Sequence, residues 1–270
     1  MKPANKIAVA IVISFPTMVA PVLAETYEEL SEGLAKESQN PVSTLISVPF
    51  EYNYQPEVGP EEGDVHTLFI KPVVPTNLGK YNLINRFIIP VEHQQERFQD
   101  EGSQSGIGDI TYQGFFSPAS PGEVIWGLGP VITAPTHSNG RLGSDKWSGG
   151  PAAMILTMPG NWVVGALATH SWSFAGDSDA DDINFSTLQY FVNYNLDNGW
   201  YLTSTPTMTA NWEAGMSSRY FIPVGGGVGR LVRFGKQPVD FKFQAFDNVE
   251  KPKGAADWSM QFSVKFLFPK

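Results

Sequence analysis

Polar and apolar positions alternate over the last third of the chain. Met260, Phe262, Val264, Phe266 and Phe268 interleave with Ser259, Gln261, Ser263, Lys265 and Leu267. That period of two predicts a strand with one wholly apolar face and one nearly all polar. Val239, Phe241, Phe243 and Ala245 against Asp240, Lys242 and Gln244 repeat the code, as do Leu188, Tyr190, Val192 and Tyr194 against Thr187, Gln189, Phe191 and Asn193. Thr203, Thr205, Thr207 and Thr209 form a hydroxyl stripe opposite Leu202, Met208 and Ala210. β-Branched and aromatic residues fill these segments, as a pleated, half-buried surface favours. The same reading predicts twelve strands: 42–54, 64–74, 81–91, 106–116, 124–134, 147–158, 162–174, 183–196, 200–212, 219–234, 238–249 and 258–268. The segments 124–134 and 147–158, interrupted by Gly and Pro, carry the pattern least clearly.

The connections sort by length. Those at 75–80, 117–123, 159–161, 197–199 and 235–238 are short, and Asp197-Asn198-Gly199 and Pro159-Gly160-Asn161 supply the positive-φ residues of tight hairpins. Those at 55–63, 92–105, 135–146, 175–182, 213–218 and 249–257 are mostly longer and acidic. Strict alternation sends every short turn to one end, the asymmetry of outer-membrane barrels. No segment offers the ~18 consecutive apolar residues of a spanning helix. The expected fold is therefore all-β: a twelve-stranded antiparallel transmembrane barrel with a short N-terminal helix. In hydrocarbon every backbone N–H and C=O needs a partner, so the first strand must pair with the last. Trp126, Trp162, Trp200, Trp212 and Trp258 fall near strand ends, where an amphipathic ring meets the headgroups. A soluble barrel of lipocalin type is the alternative.

Three regions are expected. Residues 1–24 read as a secretory signal: Lys2 and Lys6 precede the mostly apolar stretch from Ile7 to Val19, and Val22-Leu23-Ala24 offers a cleavage site. Residues 25–40 hold the one predicted helix, Thr26 to Gln39, with Tyr27, Leu30 and Leu34 on one face. It is placed at the periplasmic mouth or as a plug in the lumen. Residues 41–268 form the barrel.

Composition narrows the chemistry. The chain of 270 residues carries 18 Lys+Arg against 27 Asp+Glu, a net charge of −9, and signal removal makes it −11. With no basic surplus, nucleic-acid binding is not expected. The absence of Cys excludes disulfides, thiol catalysis and Cys-ligated metals.

The segments Gln39-Asn40-Pro41, Ile46-Ser47-Val48-Pro49-Phe50, Lys71-Pro72-Val73-Val74-Pro75, Ile84-Asn85-Arg86, Gly106-Ile107-Gly108-Asp109, Trp126-Gly127-Leu128-Gly129-Pro130 and Phe266-Leu267-Phe268-Pro269-Lys270 resemble the bacterial outer-membrane barrels grouped as phenol meta-pathway-degradation or transporter proteins. The resemblance runs along nearly all of the chain after the signal. It implies an outer-membrane location and passage of small solutes, aromatic or apolar ones among them. It brings no catalytic residue and no cofactor. Most such barrels end on the aromatic itself, whereas here Phe268 is followed by Pro269-Lys270.

Assigning the polar side of each strand to the interior puts Glu51, Lys71, Arg86, Asp109, Arg233, Asp240, Lys242 and Lys265 in the lumen. A Lys or Arg facing lipid at mid-depth costs about 2–4 kcal/mol, which favours that side. These charges either select what passes or fill a narrow lumen as an ion-pair network. Arg233 and Asp240, flanking the 235–238 turn, are expected as cross-strand neighbours. Three other motifs carry less. Val224-Gly225-Gly226-Gly227-Val228-Gly229-Arg230 lacks nucleotide-loop spacing and runs into a strand. Asp177 to Asp182 has calcium-loop rhythm without the Gly and Glu of an EF-hand. His170-Ser171 is the one Ser/His pair a surface hydrolase could use, with no third member fixed by spacing. Expected partners are outer-membrane lipid and lipopolysaccharide, the barrel-assembly machinery and a small solute. No metal or cofactor is expected.

Overall fold

The computed structural model describes residues 33–100 and 102–269. The expected signal and the first part of the expected helix lie outside the described residues. Fifteen segments form one antiparallel sheet, and three pairs of them are halves of a single interrupted strand. The result is twelve strands: β1 (Ile46–Val58), β2 (Gly63–Ile70 and Val73–Asn77), β3 (Tyr81–Gln94), β4 (Gln104–Ile107 and Ile110–Pro118), β5 (Val124–Ala134), β6 (Lys146–Thr157), β7 (Trp162–Gly176), β8 (Asn184–Asn195), β9 (Trp200–Ser204 and Thr207–Asn211), β10 (Tyr220–Phe234), β11 (Gln237–Glu250) and β12 (Trp258–Phe268). Each pairs with its neighbours in chain order. β12 closes the ring on β1, with Phe268 opposite Ile46 and Met260 opposite Tyr54. No edge is left open.

Side-chain direction follows from the pleat. Leu128, Ile155, Phe174, Leu202, Phe243 and Phe262 project outward and are exposed. A belt of that kind is stable against hydrocarbon and not against water. Aromatics flank it at both ends: Trp162 packs on Tyr194 at the short-turn end, and Trp212 on Tyr220 at the other. Arg230 sets its guanidinium 4.9 Å from the Trp200 ring, keeping an outward cation at the rim.

The tight turns form as their residues predict, with Asn198 and Gly199 both at positive φ. Two connections differ from expectation. β1 and β2 run on to Val58 and Gly63, so the 55–63 connection is a tight hairpin and not a long loop. The hairpin of β10 and β11 turns on Gly235 and Lys236 alone, pairing Arg233 with Pro238 and Leu231 with Asp240. Arg233 and Asp240 are therefore not cross-strand neighbours. Two extra residues extend the ladder and shift the register that a four-residue turn would have set.

Residues 33–38 are helical, and the following residues to Leu45 continue without strand structure, so β1 begins four residues later than the pattern indicates. This segment lies inside the barrel at the short-turn end. Ala35, only 1% exposed, packs on Leu231 and Leu267. Lys36 Nζ donates to the Gly160 carbonyl at 2.7 Å, and Gln39 Nε2 to Asn195 Oδ1 at 2.8 Å. Val42 is buried against Ile84, Phe115 and Ile125 on the opposite wall.

Candidate functional site

The interior has two halves of different chemistry. The inward faces of β3–β8 near the short turns are apolar: Ile84, Phe115, Ile125, Met154, Leu156, Val163, Leu167 and Phe191 form one buried cluster closed by Val42. Here the rule that the polar face points inward fails, because β5–β7 are apolar on both faces. This part of the lumen is packed like a soluble core. The inward faces of β1, β2, β11 and β12 are polar and charged.

Between the halves the lumen narrows. Glu51, Lys71, Arg86, Gln189 and Thr205 border both an upper cavity of about 630 Å³ and a lower one of about 140 Å³, and so form the divide between them. Two strand interruptions supply it. At Lys71-Pro72, proline removes a ladder donor. Lys71 remains inside, its Nζ 2.5 Å from Glu51 Oε1. At Thr205-Pro206 the Thr205 N–H donates to Gln244 Oε1 at 2.9 Å. Gln244, fully buried, also donates through Nε2 to Thr205 Oγ1 at 2.8 Å and to Gln261 Oε1 at 2.7 Å. Lys242 Nζ donates to Thr205 Oγ1 at 3.1 Å.

Of the eight charged residues singled out from sequence, the structure brings six together. Glu51, Lys71 and Arg86 stand at the divide, and Asp240, Lys242 and Lys265 line the lower cavity. Asp240 accepts from Tyr201 Oη at 2.7 Å and lies 3.9 Å from Lys265 Nζ, which donates to the Ser38 carbonyl at 2.7 Å. The other two lie elsewhere. Arg233 is exposed beside the last tight turn. Asp109 sits at the loop end, in the interruption of β4, where its carboxylate accepts the N–H groups of Thr136, His137 and Ser144. His137 Nδ1 meets it at 2.7 Å, and Nε2 lies 3.2 Å from Asp145. That hydrogen bond to Asp109 raises the imidazole pKa above its ordinary value.

The upper cavity is walled by hydroxyls and aromatics. Thr111 bonds Thr133 at 2.8 Å and Thr169 bonds Thr187 at 2.7 Å, while Phe69, Ile88, Phe185 and Phe221 face the same space. The threonine stripe of β9 was legible in the sequence, whereas its continuation on β4, β5, β7 and β8 was not, since those threonines are not consecutive. Tyr201 and residues 41–45 of the inner segment are contributors that sequence reasoning missed, whereas the helix up to Gln39 was expected at the periplasmic mouth or in the lumen and Gln244 on an inward polar face.

The remaining motifs resolve simply. Val224 to Arg230 lies wholly within β10. His170 and Ser171 point to opposite faces of β7. Ser171 lines the upper cavity, and His170 faces outward with Nδ1 2.7 Å from Ser186 Oγ. In the acidic loop Asp182 takes Lys146 Nζ at 3.2 Å and Ser173 Oγ at 3.1 Å, which hold its carboxyl below the usual range. Among the described residues no three His, Asp or Glu are placed to hold a metal.

A closed ring of twelve strands, greased outside and partly plugged within, defines a β-barrel of the outer-membrane class. The chain belongs to the family described as "Putative MetA-pathway of phenol degradation", whose model matches residues 64–262. Among solved structures it is similar to an outer-membrane channel from Pseudomonas putida F1, at 16% identity and a TM-score of 0.65, covering 83% of this chain and 96% of that one. Outer membrane phospholipase A from Escherichia coli aligns at 13% identity and a TM-score of 0.46 over 84% and 99% of the two chains. The CymD monoaromatic hydrocarbon channel aligns at 10% identity and 0.43 over 89% and 92%. No curated protein matches the chain.

Proposed function

We propose that the protein is an outer-membrane channel through which small apolar or aromatic solutes pass passively, without cofactor or energy source. The observation that carries this reading is the upper cavity of about 630 Å³, walled by threonine hydroxyls and phenylalanine rings beneath the loop end of the barrel. Threonine offers a methyl and a hydroxyl together, so such a wall wets a solute's polar edge while giving its apolar body contact area. The family description points to phenol degradation, and the similar barrel from Pseudomonas putida F1 is an outer-membrane channel. Lipopolysaccharide at the rim and the assembly machinery during insertion are the partners this location implies. Purified protein in planar bilayers and in solute-loaded liposomes tests the reading. Conductance and flux of a small aromatic such as benzyl alcohol should exceed those of empty membranes, and equality of both would overturn it.

A second reading is favoured by the inner segment 33–45, which bridges opposite walls through Ala35, Gln39 and Val42. In that reading the barrel is closed at rest. A chain lacking residues 33–45 should then conduct where the full chain does not.

A further inference from the structure

The charges around the divide do not balance. Lys71, Arg86, Lys242 and Lys265 face Glu51 and Asp240, a surplus of two cations. Glu51 is engaged by Lys71, and Asp240 lies nearest Lys265 and accepts from Tyr201. Among the described residues, neither Arg86 nor Lys242 has a carboxylate at ion-pair distance, although the field of Glu51 reaches both. Lys242 falls back on a threonine hydroxyl, and the Nη1 of Arg86 is buried with no hydrogen-bond partner. A buried guanidinium nitrogen without an acceptor is costly, and a surplus of buried cations more so, unless an anion joins them.

The geometry around Arg86 restricts that anion. Its side chain borders both cavities together with Lys71, and its guanidinium carbon lies 6.0 Å from the Phe115 ring, with Nη1 itself covered. Immediately above, Phe69 and Ile88 line the same cavity. A guanidinium presents a planar fork that matches a carboxylate, with Lys71 as a neighbouring point charge. We propose that the floor of the upper cavity is a binding site for a monocarboxylate with an apolar or aromatic body, its carboxylate on Arg86 and its body against Phe69 and Ile88. This rests on the channel reading and narrows its substrate class from neutral aromatics to organic acids. A chloride ion would satisfy the same charge without using the apolar wall, so the two sources of negative charge are separable.

The test uses the purified full-length protein in detergent, titrated calorimetrically with benzoate, with benzyl alcohol as its neutral counterpart, and with chloride. Benzoate should bind about tenfold or more tightly than benzyl alcohol, and Arg86→Met should remove that preference while the barrel still migrates as a folded species. Chloride should compete weakly. Equal binding of benzoate and benzyl alcohol to the unaltered protein would overturn the proposal without recourse to any variant. So would unchanged benzoate affinity in Arg86→Met, or chloride binding as tight as benzoate. Liposome flux of benzyl alcohol is read in parallel. Flux without benzoate preference sinks the carboxylate site and leaves the channel standing, whereas benzoate binding with no flux of either solute supports the site and sinks the channel.

Discussion

Tyr201 donates its phenolic hydrogen to Asp240 at 2.7 Å, and it can do so because the wall behind its ring is Gly229. Both partners are almost fully buried. Tyr201 and Gly229 are paired residues of β9 and β10, and a Cβ at position 229 would overlap the ring. The glycine run of β10 thus serves packing here: it admits a large aromatic to the lumen, whose hydroxyl then satisfies a buried carboxylate.

Removing that hydroxyl leaves Asp240 with Lys265 at 3.9 Å as its nearest ion partner. Hydrogen bonds to charged groups contribute about 1.5–3 kcal/mol, so Tyr201→Phe is expected to lower unfolding stability by about that much. Gly229→Val should destabilise at least as strongly, since it displaces the ring as well. Urea titrations of the barrel in lipid read both, and an unaltered midpoint in either would show that Asp240 is satisfied otherwise.

Gln244 offers a sharper case of the same principle. Pro206 interrupts β9, and the N–H of Thr205 is taken by the Gln244 side chain. Gln244→Leu keeps roughly the volume but leaves that buried N–H without an acceptor, at a cost of about 1–3 kcal/mol. Gln244→Glu keeps the acceptor and adds a negative charge beside Lys242, so it should be the milder change. The order of the two urea midpoints is the measurement, with Glu above Leu expected.

The inner segment is held chiefly at its two ends, by Ala35 on Leu231 and Leu267 and by Val42 on the apolar wall. Ala35→Arg places a long cation where 1% of the alanine is exposed, and Val42→Asp buries an unpaired carboxylate in an apolar cluster. Either change should expel the segment and raise single-channel conductance above that of the unaltered protein, with the barrel intact by circular dichroism. Unchanged conductance in both would mean that the segment does not limit passage.

How far the sequence reached depends on which force set each feature. β5 carries the predicted bounds because turn residues bracket it, and β12 carries them because a strand between water and lipid must alternate. The six charges around the divide were legible for the same reason. The apolar half of the lumen was not: Met154, Leu156, Val163 and Leu167 face inward from strands whose other face is also apolar, and periodicity has no contrast to report there. Nor could the place of Val42 be read, since what buries it is the far wall of a closed barrel, a contact with no local signature. The misplaced pairing of Arg233 and Asp240 came from a turn read two residues too long.

The loop end carries a pH-dependent contact. Asp109 raises the pKa of His137 above the ordinary 6.5 through their 2.7 Å hydrogen bond, with Asp145 adding a second carboxylate at 3.2 Å. Because the folded-state value exceeds the unfolded one, the contact's stabilisation is fully present below pH 6.5 and is lost as pH rises through the raised value. The backbone N–H groups of Thr136, His137 and Ser144 keep bonding Asp109 at any pH where it is ionised, so the loop loosens without releasing. An NMR titration of the His137 ring should therefore give a midpoint above 6.5, and Asp109→Asn should bring it down. Exchange protection of the 135–145 backbone should fall as pH rises through that midpoint, and His137→Phe should abolish the dependence. A midpoint unmoved by Asp109→Asn would assign the shift to Asp145 instead.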